Sequence, residues 1–234
     1  MKNPTFDAVL FDCDGVLVDS EPITNGVLRD MLEEAGWNLS AGECMRIFVG
    51  KAVKDEVALI HAKTGKRIDE AWMIEFRKRR DAGLRARLVP IDGATQAVVE
   101  IHAHYAGRIA CASGADRAKV ELQLNMCALM PYFLGHIFSG YEMARSKPFP
   151  DVYLAAAAVL GVDPKRCAVV EDSVTGVLAG VASGATVFGY SSNEAGHSAP
   201  AALLAAGVVE VFTDMADLPG LLSKFTSPAF PLLP

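Results

Sequence analysis

The chain has 234 residues, 51% of them hydrophobic and 21% charged, with a formal net charge of −6. That length and composition suit a globular protein with a sizeable core, and the acidic balance argues against nucleic acid as a partner. No apolar run is long enough to span a bilayer, and residues 1–5 have neither the basic start nor the apolar core of a signal peptide. The five cysteines (Cys13, Cys44, Cys111, Cys127 and Cys167) are scattered and never form a CxxC pair. They read as buried thiols of a reducing compartment rather than a disulfide set or a zinc site, so a cytoplasmic protein is expected.

In chain order, the short apolar run Ala8-Val9-Leu10-Phe11 predicts a buried strand of a parallel sheet. Residues 27–36 have helical spacing with Gly36 as a C-cap, residues 41–64 continue as helix broken near Gly50, and residues 69–88 form a further, basic helix. No strand pattern occurs from 20 to 88, far beyond an ordinary βα loop, so an inserted helical subdomain is expected there. From residue 92 the pattern alternates: helix 93–105, strand 108–112, helix 115–126, strand 137–138, helix 150–160, strand 167–170. Helix 174–183, strand 186–189, helix 199–206, strand 208–212 and helix 218–225 complete it, and the proline-rich tail 226–234 reads as irregular. Alternation of this kind predicts a doubly wound parallel sheet, an α/β fold with helices on both faces. The expected division is a core of residues 1–17 and 89–234 with a helical cap of residues 18–88 inserted between them, hinged near 16–19 and 87–92.

Polar groups collect at the predicted strand ends. Asp12 and Asp14 follow the first strand at alternate positions and point to one side of an extended chain, past the sheet's carboxyl edge where such folds place ligands. Two converging carboxylates need a proton or a metal between them. Ser113-Gly114 ends the second strand, where a hydroxyl and a flexible backbone can reach an anion, and Glu171-Asp172 ends the strand 167–170. Lys147 is held in an extended segment by Pro148. Each feature alone reads as a turn, an acidic helix start or a solvated lysine. Together they match Mg²⁺-assisted phosphoryl transfer, in which carboxylates hold the metal while lysine and backbone N–H groups hold phosphate oxygens.

The order of these motifs resembles the haloacid dehalogenase superfamily of phosphotransferases, in the branch with a helical cap inserted after the first strand. The matching stretches are DCDGVLVDSE at 12–21, ASG at 112–114, SKPFPD at 146–151 and VVEDSVTG at 169–176. The resemblance implies that Asp12 is the nucleophile forming an aspartyl-phosphate, and that Asp14 is the general acid and then base, its backbone carbonyl also ligating Mg²⁺. It further implies that Asp172 completes the metal site with Asp12, that Glu171 helps as a ligand or as a partner behind the ligands, that Ser113 and Gly114 bind phosphate, and that Lys147 neutralises developing charge. The expected substrate is a small phosphomonoester, with neither nucleic acid nor membrane as partner, and the expected assembly a monomer or weak homodimer.

Rival readings are weaker. A dehalogenase has no use for Asp14 or a metal. The core motifs also resemble β-phosphoglucomutase, but Val53 falls where that resemblance expects a cap arginine, and Thr24 lies where it expects a cap histidine. Hydrolysis is therefore favoured over transfer between sugar positions. A receiver-like domain accepting phosphate on an aspartate leaves the large helical insertion unexplained, whereas a lid excludes water and selects a substrate. The run at 138–151, FSGYEMARSKPFPD, is most similar to sugar-phosphate and 6-phosphogluconate phosphatases of this branch. The basic stretch 77–87 reads as a solvated helix face ahead of an anion-steering patch. The five histidines show no ligand spacing, with His197 in a polar loop near the expected rim.

Overall fold

The computed structural model describes residues 6–51, 53–192 and 197–225, so the tail 226–234 lies outside the described residues. Strand β1 (Ala8–Phe11) leads into four helices, α1 (Glu21–Glu34), α2 (Ala41–Phe48), α3 (Val57–Thr64) and α4 (Glu70–Arg87). The chain then alternates through α5 (Ala94–His104), β2 (Ile109–Ser113), α6 (Arg117–Met126), α7 (Met130–Phe133), β3 (Ile137–Ser139), α8 (Asp151–Leu160) and β4 (Cys167–Glu171). It ends with α9 (Val174–Ala182), β5 (Thr186–Tyr190), α10 (Pro200–Ala206), β6 (Glu210–Phe212) and α11 (Leu218–Lys224).

The strands form one parallel sheet in the order β3-β2-β1-β4-β5-β6. Side chains alternate across it. Val9 and Phe11 of β1, Cys111 of β2 and Val170 of β4 face a core completed by α5, α6, α7 and α11. Ala8, Leu10, Ala110 and Val169 face the opposite core, under α8, α9 and α10. β1 is central and buried on both faces, which is why it reads as an unbroken apolar run. All five cysteines are buried and unpaired, as expected.

The inserted helices have a third hydrophobic cluster of their own, built from Leu28, Leu32, Phe48, Ile60, Met73 and Phe76 among others. α1 starts six residues earlier than the apolar spacing predicts. Thr24, Asn25 and Gly26 are weak helix formers and mask the first turns, but Pro22 suits a helix start and the Glu21 carboxylate accepts the Asn25 amide at 2.7 Å. The correction matters, because Glu21, Thr24, Asn25 and Leu28 then share one helix face. The sequence reading also missed α7, a single turn that starts on Met130-Pro131. No described helix is long and apolar enough to cross a membrane.

Leu10 has no solvent exposure and packs in the second core. Leu10→Ala is expected to cost about 2–5 kcal/mol of unfolding free energy by urea titration; a loss under about 1 kcal/mol would contradict this packing.

Candidate active site

Strand register sets the site. Phe11 is level with Cys111 of β2 and Val170 of β4, so the next residues along the three strands emerge together at the carboxyl edge. The Asp12 N–H donates to the Val170 carbonyl at 3.0 Å, keeping Asp12 in line with β4 before the chain turns. The turn needs Gly15: its φ is +74°, and a Cβ there would lie 2.4 Å from Asp172 Oδ2. This brings the loop after β1 against the start of α9.

All seven residues expected from the sequence meet at one cleft or directly behind it. Asp12 Oδ1 accepts from Lys147 Nζ at 2.7 Å, and the same ammonium donates to Glu171 Oε1 at 2.6 Å. The Lys147–Pro148 peptide is cis. Glu171 has no solvent exposure. Its Oε1 also accepts the Tyr153 hydroxyl at 2.7 Å, and its Oε2 accepts the backbone N–H groups of Asp172 and Ser173 and the Ser173 hydroxyl. Gly176 makes room for it, since a Cβ there would sit 1.7 Å from Glu171 Oε1. Ser113 is buried and its Oγ accepts the Ala115 N–H at 3.1 Å, while Gly114 borders the cleft.

Asp14 turns the other way. Its Oδ1 accepts from Lys119 Nζ and Gln123 Nε2, each at 2.7 Å, and from the Ser20 hydroxyl. Sequence reasoning missed these three partners. Lys119 and Gln123 stand four apart on α6, a spacing that aims two polar side chains at one place, and Ser20 was already part of the first motif. Lys119 is in turn tied to Asp116, the N-cap of α6, which pairs with Arg80 of α4 at 2.8 Å. The basic stretch is thus only partly a solvated face. Arg79 pairs with Glu34 and Glu75 outside, whereas Arg80 is buried and crosses to the core. Lys54 sits 3.7 Å above the Tyr141 ring, and a Cβ on Gly50 would meet Ser173 Cβ at 3.2 Å. Through these contacts the inserted helices close over the cleft. Val53 lines it as a buried apolar side chain.

His197, to which the sequence assigns no role in its polar loop near the expected rim, supports the loop after β1. Its Nε2–H donates to the Gly15 carbonyl at 2.8 Å, leaving Nδ1 to accept from the Ser192 hydroxyl at 2.9 Å.

Oxygens of Asp12, Glu171 and Asp172 lie within 4.8 Å of one another, and all three residues are buried. Burial, helped by repulsion from Glu171 and Asp14, outweighs the Lys147 charge and raises the Asp12 carboxyl to about 7, and burial beside Glu171 and Asp12 holds Asp172 well above the usual range. Burial first, then the neighbouring Asp14 charge, raises Glu21 to about 7. Burial also opposes ionisation of Asp14, but the Lys119 charge and its three donors outweigh that and lower its pKa. Buried, crowded, hard oxygen donors with surplus negative charge fit a divalent cation such as Mg²⁺.

The profile of the haloacid dehalogenase-like hydrolases matches residues 6–184. The chain belongs to this family. It is 29% identical to the 6-phosphogluconate phosphatase of Escherichia coli (strain K12) over 220 residues, covering 92% of this chain and 94% of that one. Hexitol phosphatase B of the same organism is 30% identical over 183 residues, 75% of this chain and 79% of its own. A crystal structure of a hydrolase of the family from Deinococcus radiodurans R1, with bound phosphate and sodium, has a TM-score of 0.76 at 34% identity and covers 97% of this chain and 100% of that one. Like the two named enzymes of Escherichia coli, the present chain is a phosphatase of this family.

The raised carboxyls give a pH prediction. A group whose folded pKa exceeds its unfolded value stabilises the fold below the unfolded value and loses that contribution as pH rises through the folded one. For Asp12 the window runs from 3.8 to about 7. The melting temperature of chelator-treated protein should therefore fall between pH 5 and pH 8, Mg²⁺ should reverse the fall, and Asp172→Asn should flatten it. A metal-free melting temperature that rises across this range would refute the assignment.

Proposed function

We propose that the protein is a Mg²⁺-dependent phosphomonoester hydrolase acting on a small sugar phosphate or sugar-acid phosphate through an aspartyl-phosphate. The observation that carries this reading is the buried cluster of Asp12, Glu171 and Asp172 with Lys147 bonded to both Asp12 and Glu171. Asp12 and Asp172, with the Asp14 backbone carbonyl, would hold the cation, and Glu171, whose oxygens already accept five hydrogen bonds, would fix Lys147 and Asp12 from behind. When bound, Mg²⁺ neutralises phosphate charge and relieves its repulsion from the attacking carboxylate.

The chain's own groups supply the rest. Asp12 attacks phosphorus, and the bond from phosphorus to the leaving oxygen breaks as that oxygen takes a proton from Asp14. Water then attacks the acyl phosphate, gives its proton to Asp14, and releases phosphate with Asp12 restored. Lys147 sets the direction of Asp12 and offsets charge on the transferring group, while Glu171 and Tyr153 hold Lys147 in place. Ser113 accepts the Ala115 N–H, so its hydroxyl hydrogen can turn to a phosphate oxygen, beside the backbone N–H of Gly114. The three donors on Asp14 Oδ1 favour its ionised form in the free site, so the proton it transfers would be taken up beside the anionic substrate, on Oδ2. The helical insertion, residues 18–88, acts as the lid that excludes water and selects the leaving group.

The buried Val53 in the cleft favours hydrolysis over a mutase reaction, which needs a second phosphate site. With Mg²⁺, phosphate release from a panel of sugar and sugar-acid phosphates is expected to vanish with chelator and to drop at least about 10³-fold in Asp12→Asn. Conversion of β-glucose 1-phosphate to its 6-phosphate with little free phosphate would overturn the hydrolase reading. Lys119→Met should lower kcat/KM for a sugar phosphate at least tenfold more than for p-nitrophenyl phosphate, whose leaving group needs no proton. Equal losses on both substrates would mean that Lys119 supports the fold and not proton transfer.

A further inference from the structure

Resting on the phosphatase reading above, the geometry points to a neutral, polyhydroxylated leaving group. Glu21, Thr24 and Asn25 of α1 would recognise its hydroxyls, and a substrate bearing a carboxylate would be disfavoured. The first observation is Thr24. It borders the cleft, and its Oγ1 is the buried side-chain polar atom that lacks a hydrogen-bond partner among the described residues. Such an atom costs stability unless a ligand satisfies it. A helical threonine ordinarily bonds its hydroxyl to the carbonyl four residues back, as Thr64 does to Ile60 at 2.8 Å, but Thr24 does not.

The second observation concerns its neighbours on the same face. The Asn25 amide is fixed by its bond to Glu21 Oε2, and no described donor reaches Glu21 Oε1. Glu21, Thr24 and Asn25 border the same cleft as Asp14, on the side the inserted helices cover, where the leaving group must sit. A hydroxyl serves both as donor to a carboxylate and as acceptor from a threonine, so this trio matches a row of alcohols. The adjoining Leu28, Met73 and Phe76 suit the carbon faces of such a molecule.

The third observation is the charge balance. The cations lining the cleft are paired with carboxylates, Arg80 with Asp116 at 2.8 Å, Lys119 with Asp14 and Lys147 with Asp12 at 2.7 Å inside, and Lys51 with Glu56 at 3.3 Å and Arg77 with Glu70 at 2.9 Å at the exposed rim, where Lys54 lies above the Tyr141 ring. Arg80, Lys119 and Lys147 are buried with their partners and cannot turn to another anion without leaving a buried carboxylate unpaired. A substrate carboxylate placed beside Glu21 would be desolvated next to a like charge, and the cations left to meet it are the exposed rim residues Lys51, Lys54 and Arg77.

Six-carbon substrates that differ only at the far end test this. Initial rates with Mg²⁺ are compared for glucitol 6-phosphate, 6-phosphogluconate and p-nitrophenyl phosphate. The expected result is a kcat/KM for glucitol 6-phosphate at least tenfold above that for 6-phosphogluconate. Thr24→Val, which keeps the shape and removes the hydroxyl, should cut the ratio of glucitol 6-phosphate to p-nitrophenyl phosphate about tenfold. A fold defect would lower both rates together and leave that ratio alone, which would refute the role of Thr24. Equal or better turnover of 6-phosphogluconate overturns the inference and leaves the phosphatase standing, and its loss in Arg77→Gln would assign the carboxylate to that rim arginine. No turnover of any of the three overturns the phosphatase reading itself.

Discussion

Carboxylate crowding at the ends of β1 and β4 is the constraint on which the rest of the site depends. Parallel pairing brings Asp12, Asp14, Glu171 and Asp172 out at one edge, most of them shielded from water. Like charges so placed are held apart or neutralised by specific devices. Lys147 bridges Asp12 and Glu171, and Lys119 draws Asp14 to the opposite wall. The backbone N–H groups at the start of α9 hold the second oxygen of Glu171. What these devices leave uncompensated, chiefly at Asp172 and Asp12, is carboxylate crowding whose hard oxygen donors suit a divalent cation.

This constraint explains why so much was legible in the sequence. The alternation of apolar runs with helical spacings maps onto six strands and their covering helices, because a doubly wound sheet demands buried strands and amphipathic crossovers in that order. Carboxylates after Phe11 and Val170, and Ser113 closing β2, announce themselves because strand ends have a fixed direction. Long-range partnerships were not legible. Nothing local to Lys119 or Gln123 shows that they reach Asp14, more than a hundred residues away, and nothing in the polar loop before His197 shows that the ring props the Gly15 carbonyl. The first turns of α1 escaped for a local reason: residues with poor helix propensity are held there by the Asn25–Glu21 contact and by what they face.

Glycine has two opposite uses around the site. Gly15 takes a positive φ and yields its side-chain space to Asp172, so one residue serves both the turn and the close approach. Gly176 sits inside a helix, where glycine weakens the element, yet its missing side chain is what lets Glu171 lie against α9. Local helix stability is given up there in exchange for a buried, fully bonded carboxylate.

The Arg80–Asp116 pair joins the inserted helices to the cap of α6, and the same α6 carries the lysine that holds Asp14. Asp116 meets the arginine with one oxygen and the Lys119 backbone N–H with the other. Under the proposed function, an insertion that opened as a lid would part the arginine from Asp116 and leave an unpaired anion at the start of the helix that holds Asp14. One joint would then govern both the entry of substrate and the charge around the proposed acid, and a looser or tighter entrance at this position would retune both together.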